Sequence, residues 1–248
     1  MISIVIPTVN EAANVESLVR RIMQSEQPPD EVLFVDDGST DGTGDAVRTL
    51  ALTHPVRLLE RDFPAGGLSG AVIAGARAAR GDILVVMDAD LSHPPERIAD
   101  LVRPLSLGVA DLVIGSRYIP GASTPGWPLW RKLMSRVAAA VAFPMTGVHD
   151  SLCGFFAMRR HAFIDATSYA TGFKIAFEAI MHGGPNLRVL EIPIVFHNRA
   201  RGISKMSFGV AILFFLRWTA AGFQLLSREH TQTGYKGTEA LAAEIPLD

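Results

Sequence analysis

Asp82-Ile83-Leu84-Val85-Val86-Met87-Asp88-Ala89-Asp90 is the stretch on which the fold turns. An apolar run of strand length ends in two carboxylates two positions apart. Residues i and i+2 of a strand point the same way, so a strand running through residue 90 brings both acids to one point. Ser92 and His93 follow as further polar groups. Paired carboxylates repel unless a cation lies between them. Hard ions such as Mg²⁺ or Mn²⁺ accept such oxygens and leave places for water and substrate phosphates. On its own the pair has two readings, a metal site holding a diphosphate or a solvated acidic turn.

Working outward, residues 2–8, 31–37, 56–61 and 111–118 are further apolar runs of strand length. Between them lie segments with helical spacing. Residues 14–24 carry Val15, Leu18, Val19, Ile22 and Met23 on one stripe; 41–52 begins with Asp41 as a candidate N-cap. Residues 69–79 are rich in small side chains, and 94–102 has proline in its favoured first turn. This alternation predicts an α/β fold with a mostly parallel central sheet and helices on both faces. Beyond residue 120 the pattern is less regular. Helices are expected at 127–143 and 173–182, strands at 154–159 and 188–196, an apolar helix at 207–226 and a polar, frayed tail from 229.

The bulk composition narrows the function classes. A chain of 248 residues with 48% hydrophobic content can build a sizeable core. A net charge of −2 leaves no basic excess for neutralising nucleic-acid phosphates. The single cysteine, Cys153, forms no internal disulfide, which fits a reducing compartment. The N-terminus reads as a first strand, not a signal peptide. Mean hydropathy is +0.25, with the apolar excess near the C-terminus.

In open α/β sheets ligands bind outside the carboxyl ends of strands. Those ends here read Pro7-Thr8-Val9-Asn10-Glu11, Val35-Asp36-Asp37-Gly38-Ser39, Asp88-Ala89-Asp90 and Gly115-Ser116-Arg117-Tyr118. Four polar, mostly acidic ends in succession favour a shared ligand site over four unrelated turns. Such carboxylates can accept from a ribose, a base edge and the waters of a metal. Gly66-Gly67-Leu68-Ser69-Gly70 lacks the Gly-Lys-Ser/Thr ending of a Walker loop and does not follow the first strand.

These motifs, Pro7-Thr8-Val9-Asn10-Glu11, Asp36-Asp37-Gly38-Ser39 with Asp41-Gly42-Thr43, and Asp88-Ala89-Asp90-Leu91-Ser92-His93-Pro94-Pro95-Glu96, resemble glycosyltransferase family 2. Ser116-Arg117-Tyr118, Gly126-Trp127, Arg131, Ser135, Asp150, Gly154-Phe155 and Gly202-Ile203-Ser204-Lys205 resemble its dolichyl- and polyprenyl-phosphate mannose synthases. The resemblance implies a GT-A fold, a GDP-mannose donor, a Mg²⁺ or Mn²⁺ cofactor, a polyprenyl (dolichyl-type) phosphate acceptor and inverting transfer at the cytoplasmic face of a membrane. It places the metal at Asp88 and Asp90, with Ser92 a weaker third candidate because the family often carries the longer glutamine there. It places the donor at Pro7, Asn10, Glu11, Val35, Asp36, Asp37, Ala89 and Asp90, with Arg201 and Lys205 closing over the diphosphate. Arg117, Arg131 and Ser135 are the candidate acceptor-phosphate residues, and Asp150 and Glu178 candidates for sugar hydroxyls. The lysine many members carry before the glycines of loop 61–67 is missing.

On a helix over 127–143, Arg131 and Ser135 share a face, while Trp130, Leu133, Val137 and Val141 form an apolar side suited to a membrane interface. Segment 207–226 is apolar except for Arg217, and a narrow polar stripe with Gln224 and Arg228 fits a helix lying in the interface. The expected organisation is a catalytic domain over 1–206, an interface helix over 207–228 and a tail over 229–248. Three other functions share parts of this pattern: transfer from UDP-glucose, nucleotidyl transfer, and nucleotide-sugar binding without turnover. Nucleotidyl transfer normally needs a glycine-rich basic loop after the first strand, and Pro7-Thr8-Val9-Asn10-Glu11 is not one.

Overall fold

The computed structural model describes residues 1–62, 65–168, 174–184 and 186–198. Arg201, Lys205, the expected interface helix over 207–228 and the tail over 229–248 lie outside the described residues.

Seven strands, β1 (Ile2–Thr8), β2 (Glu31–Asp36), β3 (Val56–Glu60), β4 (Ile83–Val86), β5 (Leu112–Ser116), β6 (Phe156–Arg159) and β7 (Val189–Pro193), form one sheet in the order β3-β2-β1-β4-β6-β5-β7. Every pairing is parallel except the two made by β6, which runs antiparallel between β4 and β5. The mostly parallel sheet expected from the alternation is therefore present. Its central strands are buried continuously, as strands covered on both faces must be: all six residues of β2 are buried.

Helices α1 (Ala12–Met23), α2 (Thr43–Leu50), α3 (Gly67–Ala78), α4 (Ile98–Ser106), α5 (Leu129–Thr146), α6 (Arg160–Ala166) and α7 (Ile175–His182) surround the sheet, and a 3₁₀ turn at Pro95–Arg97 leads into α4. Helix α3 lies so close to β1 and β2 that a Cβ on Gly75 would stand 2.4 Å from Val5 Cγ1 and 2.8 Å from Val35 Cγ2. Glycine there is a packing requirement.

The chain leaves β1 toward β2 and β3, then crosses back to place β4 on the other side of β1. The crevice beyond the carboxyl ends of β1 and β4 is thus a topological switch point. Register Thr8↔Asp36 brings the ends of β1 and β2 level. The carboxyl end of β5 joins them on the same edge, because two antiparallel steps through β6 restore its direction.

One expectation is corrected. Strand β4 stops at Val86, so Asp88-Ala89-Asp90 lies in a turn and not on the strand. The alternation of strand side chains does not aim the carboxylates. A turn in which Leu91 takes φ +63° aims them instead.

Candidate active site at the carboxyl edge of the sheet

The turn after β4 is held from beneath. His93 is buried, stacks on Phe155 with ring centroids 5.2 Å apart, and accepts the Asp88 N–H at Nδ1 (3.0 Å). Burial pushes the pKa of His93 down, against the pull of Asp88 and Asp90. The ring is therefore neutral near pH 7, with its proton on Nε2. Asp90 is buried and accepts from the Ser92 N–H at 3.0 Å, whereas the Asp88 side chain is 35% exposed. Gly154 leaves room here: a Cβ would stand 3.6 Å from Asp88 Oδ1.

Among the described residues no group of three His, Cys, Asp or Glu side chains could hold a metal ion. The residues at the turn nonetheless fit a hard cation that draws most of its oxygens from substrate and water. They supply two carboxylates, and the buried Ser92 hydroxyl has no hydrogen-bond partner among the described residues.

The loops after β1 and β2 are tied to each other. Asn10, at φ +55°, donates its N–H to Ser39 Oγ (2.8 Å) and accepts the Thr40 N–H at Oδ1 (2.8 Å). Thr43 Oγ1 accepts the Glu11 N–H, and Asp41 accepts the N–H of Ala12, the first residue of α1. Asp41 therefore caps α1 from the neighbouring loop, whereas the N-cap of α2 is Gly42 at φ +90°. Asp36 is buried and accepts from the Ser39 N–H (3.1 Å) and hydroxyl. Asp37 pairs with Arg61, Nε to Oδ1 2.7 Å, both side chains about nine-tenths buried. Burial raises the Asp37 pKa, with Arg61 opposing and Asp36 adding to it. Val35 and Ala89 are buried in the core, so a ligand meets them through the backbone.

Beyond β5, the buried Asp150 accepts from Arg117 three times: from the backbone N–H (2.9 Å), Nε (2.7 Å) and Nη2 (2.8 Å). Asp150 raises the Arg117 pKa further above its ordinary range, against the desolvation that opposes it. Glu191, buried on β7, fixes Asp150 in turn, accepting its N–H (3.0 Å) and that of His149 (2.9 Å). Tyr118 donates its hydroxyl to Ser135 Oγ (2.5 Å), and the Arg131 guanidinium lies over the Trp127 ring, 3.9 Å from its centroid.

A cavity of about 200 Å³ opens beside Arg117, lined also by Tyr118, Ser123, Trp127, Lys132 and Arg136. Phe196 links the cavity to the carboxylate turn, edge-on to Trp127 and to His93 with centroids 5.3 Å away in each case. Sequence reasoning missed Lys132, Arg136, Arg61, Lys174 and Glu191. Lys174, just before α7, carries a cation within range of Asp88, Arg117 and Asp150. Desolvation by the surrounding protein and then Arg117 hold its pKa below the usual lysine value, although part of the residue faces solvent. Cys153 is buried, its thiol pushed up to about 12 by that burial, so it is inert near neutral pH. The remaining candidate, Glu178, is buried in α7.

Comparison with known proteins adds to this geometry. The profile described as Glycosyl transferase family 2 matches residues 3–166. A dolichol-phosphate mannosyltransferase of Pyrococcus furiosus is 41% identical over 221 residues, 87% of this chain but only 62% of that longer relative. A polyprenol monophosphomannose synthase of Mycolicibacterium smegmatis is 38% identical, with 82% of this chain and 80% of the relative covered. An undecaprenyl-phosphate mannosyltransferase of Micrococcus luteus is 37% identical, with 88% and 93% covered. Among solved structures, glucosyl-3-phosphoglycerate synthase from Mycobacterium tuberculosis, in complex with Mn²⁺, UDP-glucose and glycerol 3-phosphate, aligns with a TM-score of 0.63. It is 23% identical and covers 89% of this chain and 79% of its own. Mannosyl-3-phosphoglycerate synthase from Rubrobacter xylanophilus gives 0.62 at 18% identity, covering 92% and 75%. At these identities the structural likeness concerns the fold alone, a GT-A-type sheet.

Proposed function

This chain belongs to glycosyl transferase family 2, and from that premise we propose that it moves mannose from GDP-mannose onto a polyprenyl or dolichyl phosphate, with inversion, at the cytoplasmic face of a membrane. The observation that carries the reading is the adjacency of a carboxylate turn and a cation-lined cavity across Phe196. One side suits a diphosphate leaving group and the other a phosphate nucleophile. The names of the mannosyltransferase relatives support the acceptor and the sugar.

Asp88 and Asp90 would hold Mg²⁺ or Mn²⁺, with Ser92 close by. Such an ion supplies charge neutralisation on the departing diphosphate. Asp37 and the tied loops at Asn10 and Glu11 cradle the nucleoside, with backbone approach at Pro7, Val35 and Ala89. The acceptor phosphate arrives at the Arg117 end of α5, where Arg131 and Ser135 also stand. With a second pKa near 6 it is largely ionised at neutral pH and needs no protein base. Three of the seven histidines are occupied otherwise: His93 with the Asp88 N–H, His149 with Glu191 (2.8 Å) and His182 with the Glu178 carbonyl (2.9 Å). What remains for the protein is alignment and electrostatic preorganisation. In this reading Arg201 and Lys205 close over the diphosphate.

Helix α5 turns Leu129, Trp130, Leu133, Met134 and Val137 to the outside, which supports a membrane-facing side. No helix among the described residues is long and apolar enough to cross a membrane.

The test is sugar transfer to a short polyprenyl phosphate with GDP-mannose and UDP-glucose offered in parallel. GDP-mannose is expected to be the better donor, and Asp90→Ala to lower metal-dependent transfer by at least about a hundredfold, in line with losses on removing one charge-stabilising group. Preference for UDP-glucose would reassign the donor, and full activity of Asp90→Ala would remove the metal role from this turn.

A further inference from the structure

The chain just past β7 alternates sides. Ile194 and Phe196 are buried while Val195 and His197 are exposed, the period of an extended segment. Backbone hydrogen bonds fasten this segment at both ends. The Ile194 N–H donates to the Ser116 carbonyl (3.0 Å) at the end of β5, and the Ile194 carbonyl accepts the Ser123 N–H (3.1 Å). The Phe196 N–H donates to the Ser123 carbonyl (2.9 Å), and the His197 N–H to the Ser92 carbonyl (3.1 Å). Ser92 in turn donates its own N–H to Asp90. The segment is thus tied on one side to a wall of the cavity beside Arg117 and on the other to the carboxylate turn.

The Phe196 ring enters between those two halves. It stands edge-on to His93 and to Trp127, at interplanar angles of 77° and 81°, an attractive arrangement for aromatic pairs. His93 accepts the Asp88 N–H, so the ring bears on the residue that supports the carboxylate turn. Trp127 carries the Arg131 guanidinium, and the Arg117 guanidinium lies 5.5 Å from the Phe196 centroid. A phenyl ring offers a diphosphate or a phosphate no hydrogen bond. What it supplies is volume: in a close-packed interior its size decides how far apart its neighbours stand. It also occupies the space through which water would reach the junction.

We propose that Phe196 is a positioning residue, which sets the separation between the carboxylate turn and the Arg117 cavity and keeps water from the gap while binding neither substrate. The proposal rests on the donor and acceptor reading above for what each half holds. Reacting groups misplaced by about 1 Å can lose on the order of a hundredfold in rate, while each half, built from its own residues, keeps its ligand. A gap opened by a smaller side chain admits water as a rival nucleophile. In transfer an acceptor phosphate oxygen bonds to the anomeric carbon as its bond to the diphosphate breaks. In the rival reaction a water oxygen takes that place and gives its proton to solvent.

The test compares the native chain with Phe196→Leu and with Phe196→Met, whose flexible chain fills gaps without a flat ring. Should either variant fail to fold, the other carries the comparison. Phe163→Leu is the control. Phe163 is buried on α6, which starts where Arg159 pairs with Ile83 at the amino end of β4, away from the crevice. With GDP-mannose and Mn²⁺, sugar transferred to a short prenyl phosphate is counted against sugar released to water, and both KM values and the unfolding midpoint are recorded. A readout without turnover is the phosphorus relaxation of inorganic phosphate on the full chain with Mn²⁺, which depends steeply on the distance between phosphate and ion. Both Phe196 variants are expected to lower the transfer kcat at least about tenfold, to leave both KM values close to native, to shift the products toward released sugar, and to change the phosphorus relaxation. Phe163→Leu lowers the unfolding midpoint but keeps the native product ratio and relaxation, which separates placement from stability. A native product ratio with native relaxation in the Phe196 variants overturns the proposal, as does a rise in either KM large enough to account for the whole loss. If Mn²⁺ relaxes the phosphate on the native chain but no prenyl phosphate receives sugar, the transfer reading falls. The relaxation in the Phe196 variants then decides the proposal alone, a change supporting it and a native value overturning it. If Mn²⁺ leaves the phosphate signal of the native chain untouched and no sugar is transferred, both fall.

Discussion

Asp150 shows how much a single residue can organise. Its carboxylate takes three hydrogen bonds from Arg117, and its own N–H is pinned by Glu191. Both members of the pair are shielded, with side chains 11% and 0% exposed. Removing one partner of such a pair strands the other charge away from water, which costs about 3–5 kcal/mol. Asp150→Ala is therefore expected to lower unfolding free energy by roughly that amount in urea titration, and to disturb acceptor use more than donor binding. A loss below about 1 kcal/mol would place the pair in the weak surface class. Asp150 was legible from the sequence only by resemblance, as a sugar contact. Its structural duty was hidden because Glu191 lies 41 residues away on another strand. The same holds for Arg61, whose partner Asp37 was expected, with Asp36, Pro7 and Glu11, at the nucleoside.

Among the elements, the apolar runs marked strands β1 to β5 well, because continuous burial leaves little room for polar residues. The bounds of β1 agree, whereas β2 to β5 were read too long, most consequentially at β4, where the acids were taken as strand residues. Nothing in Asp88-Ala89-Asp90 distinguishes a strand end from a turn. The left-handed Leu91 and the neutral His93 decide it, and neither announces itself in the sequence. Helix α6, only seven residues long, gave too short a period to be seen. Asp41 was placed at the right helix region with the wrong client. It caps α1 and, through Thr43, steadies the start of α2. Asp41→Ala is expected to cost about 1 kcal/mol as a lost cap, and to weaken nucleotide-sugar binding by loosening the 9–12 loop. Fluorescence titration with the nucleotide and thermal unfolding of the variant check both parts.

Taken whole, the molecule divides its chemistry between the two edges of one sheet. The carboxyl edge bears the candidate site. Near the other edge, Glu31 at the start of β2 is buried and accepts from Ser3 Oγ (2.5 Å), the Arg80 N–H (2.9 Å) and Arg57, joining β1, β2, β3 and the end of α3. Desolvation acts to raise the Glu31 pKa, but these hydrogen bonds and the Arg57 charge outweigh it and hold the pKa below 4.5. A depressed folded-state pKa gives stability that is full above the unfolded value and lost as pH falls through the folded one. Between pH 7 and about 5 this contribution is flat, and below about 4.5 it declines. Glu31→Gln is expected to be less stable at pH 7 and to show a shallower acid limb, read from unfolding midpoints across that range. An acid limb parallel to that of the native chain would exclude Glu31 as its source. The sheet order itself was not legible: alternation predicts parallel neighbours, but not that β6 enters antiparallel between β4 and β5, which depends on pairings between strands far apart in sequence.

The stitching of the first two loops has a bearing on selectivity. Asn10, Glu11 and Ala12 are bound to Ser39, Thr40, Asp41 and Thr43 across about thirty residues of chain. A loop that is ordered on binding spends affinity on its own immobilisation. Here the hydrogen bonds between the two loops restrict that freedom within the protein itself. Under the proposed function, the nucleoside end of the crevice would then act as a rigid gauge, in which a base of the wrong outline meets backbone held by these hydrogen bonds. Under that function, donor choice would be exercised by exclusion at Asn10 and Asp37, not by rearrangement around whichever nucleotide enters.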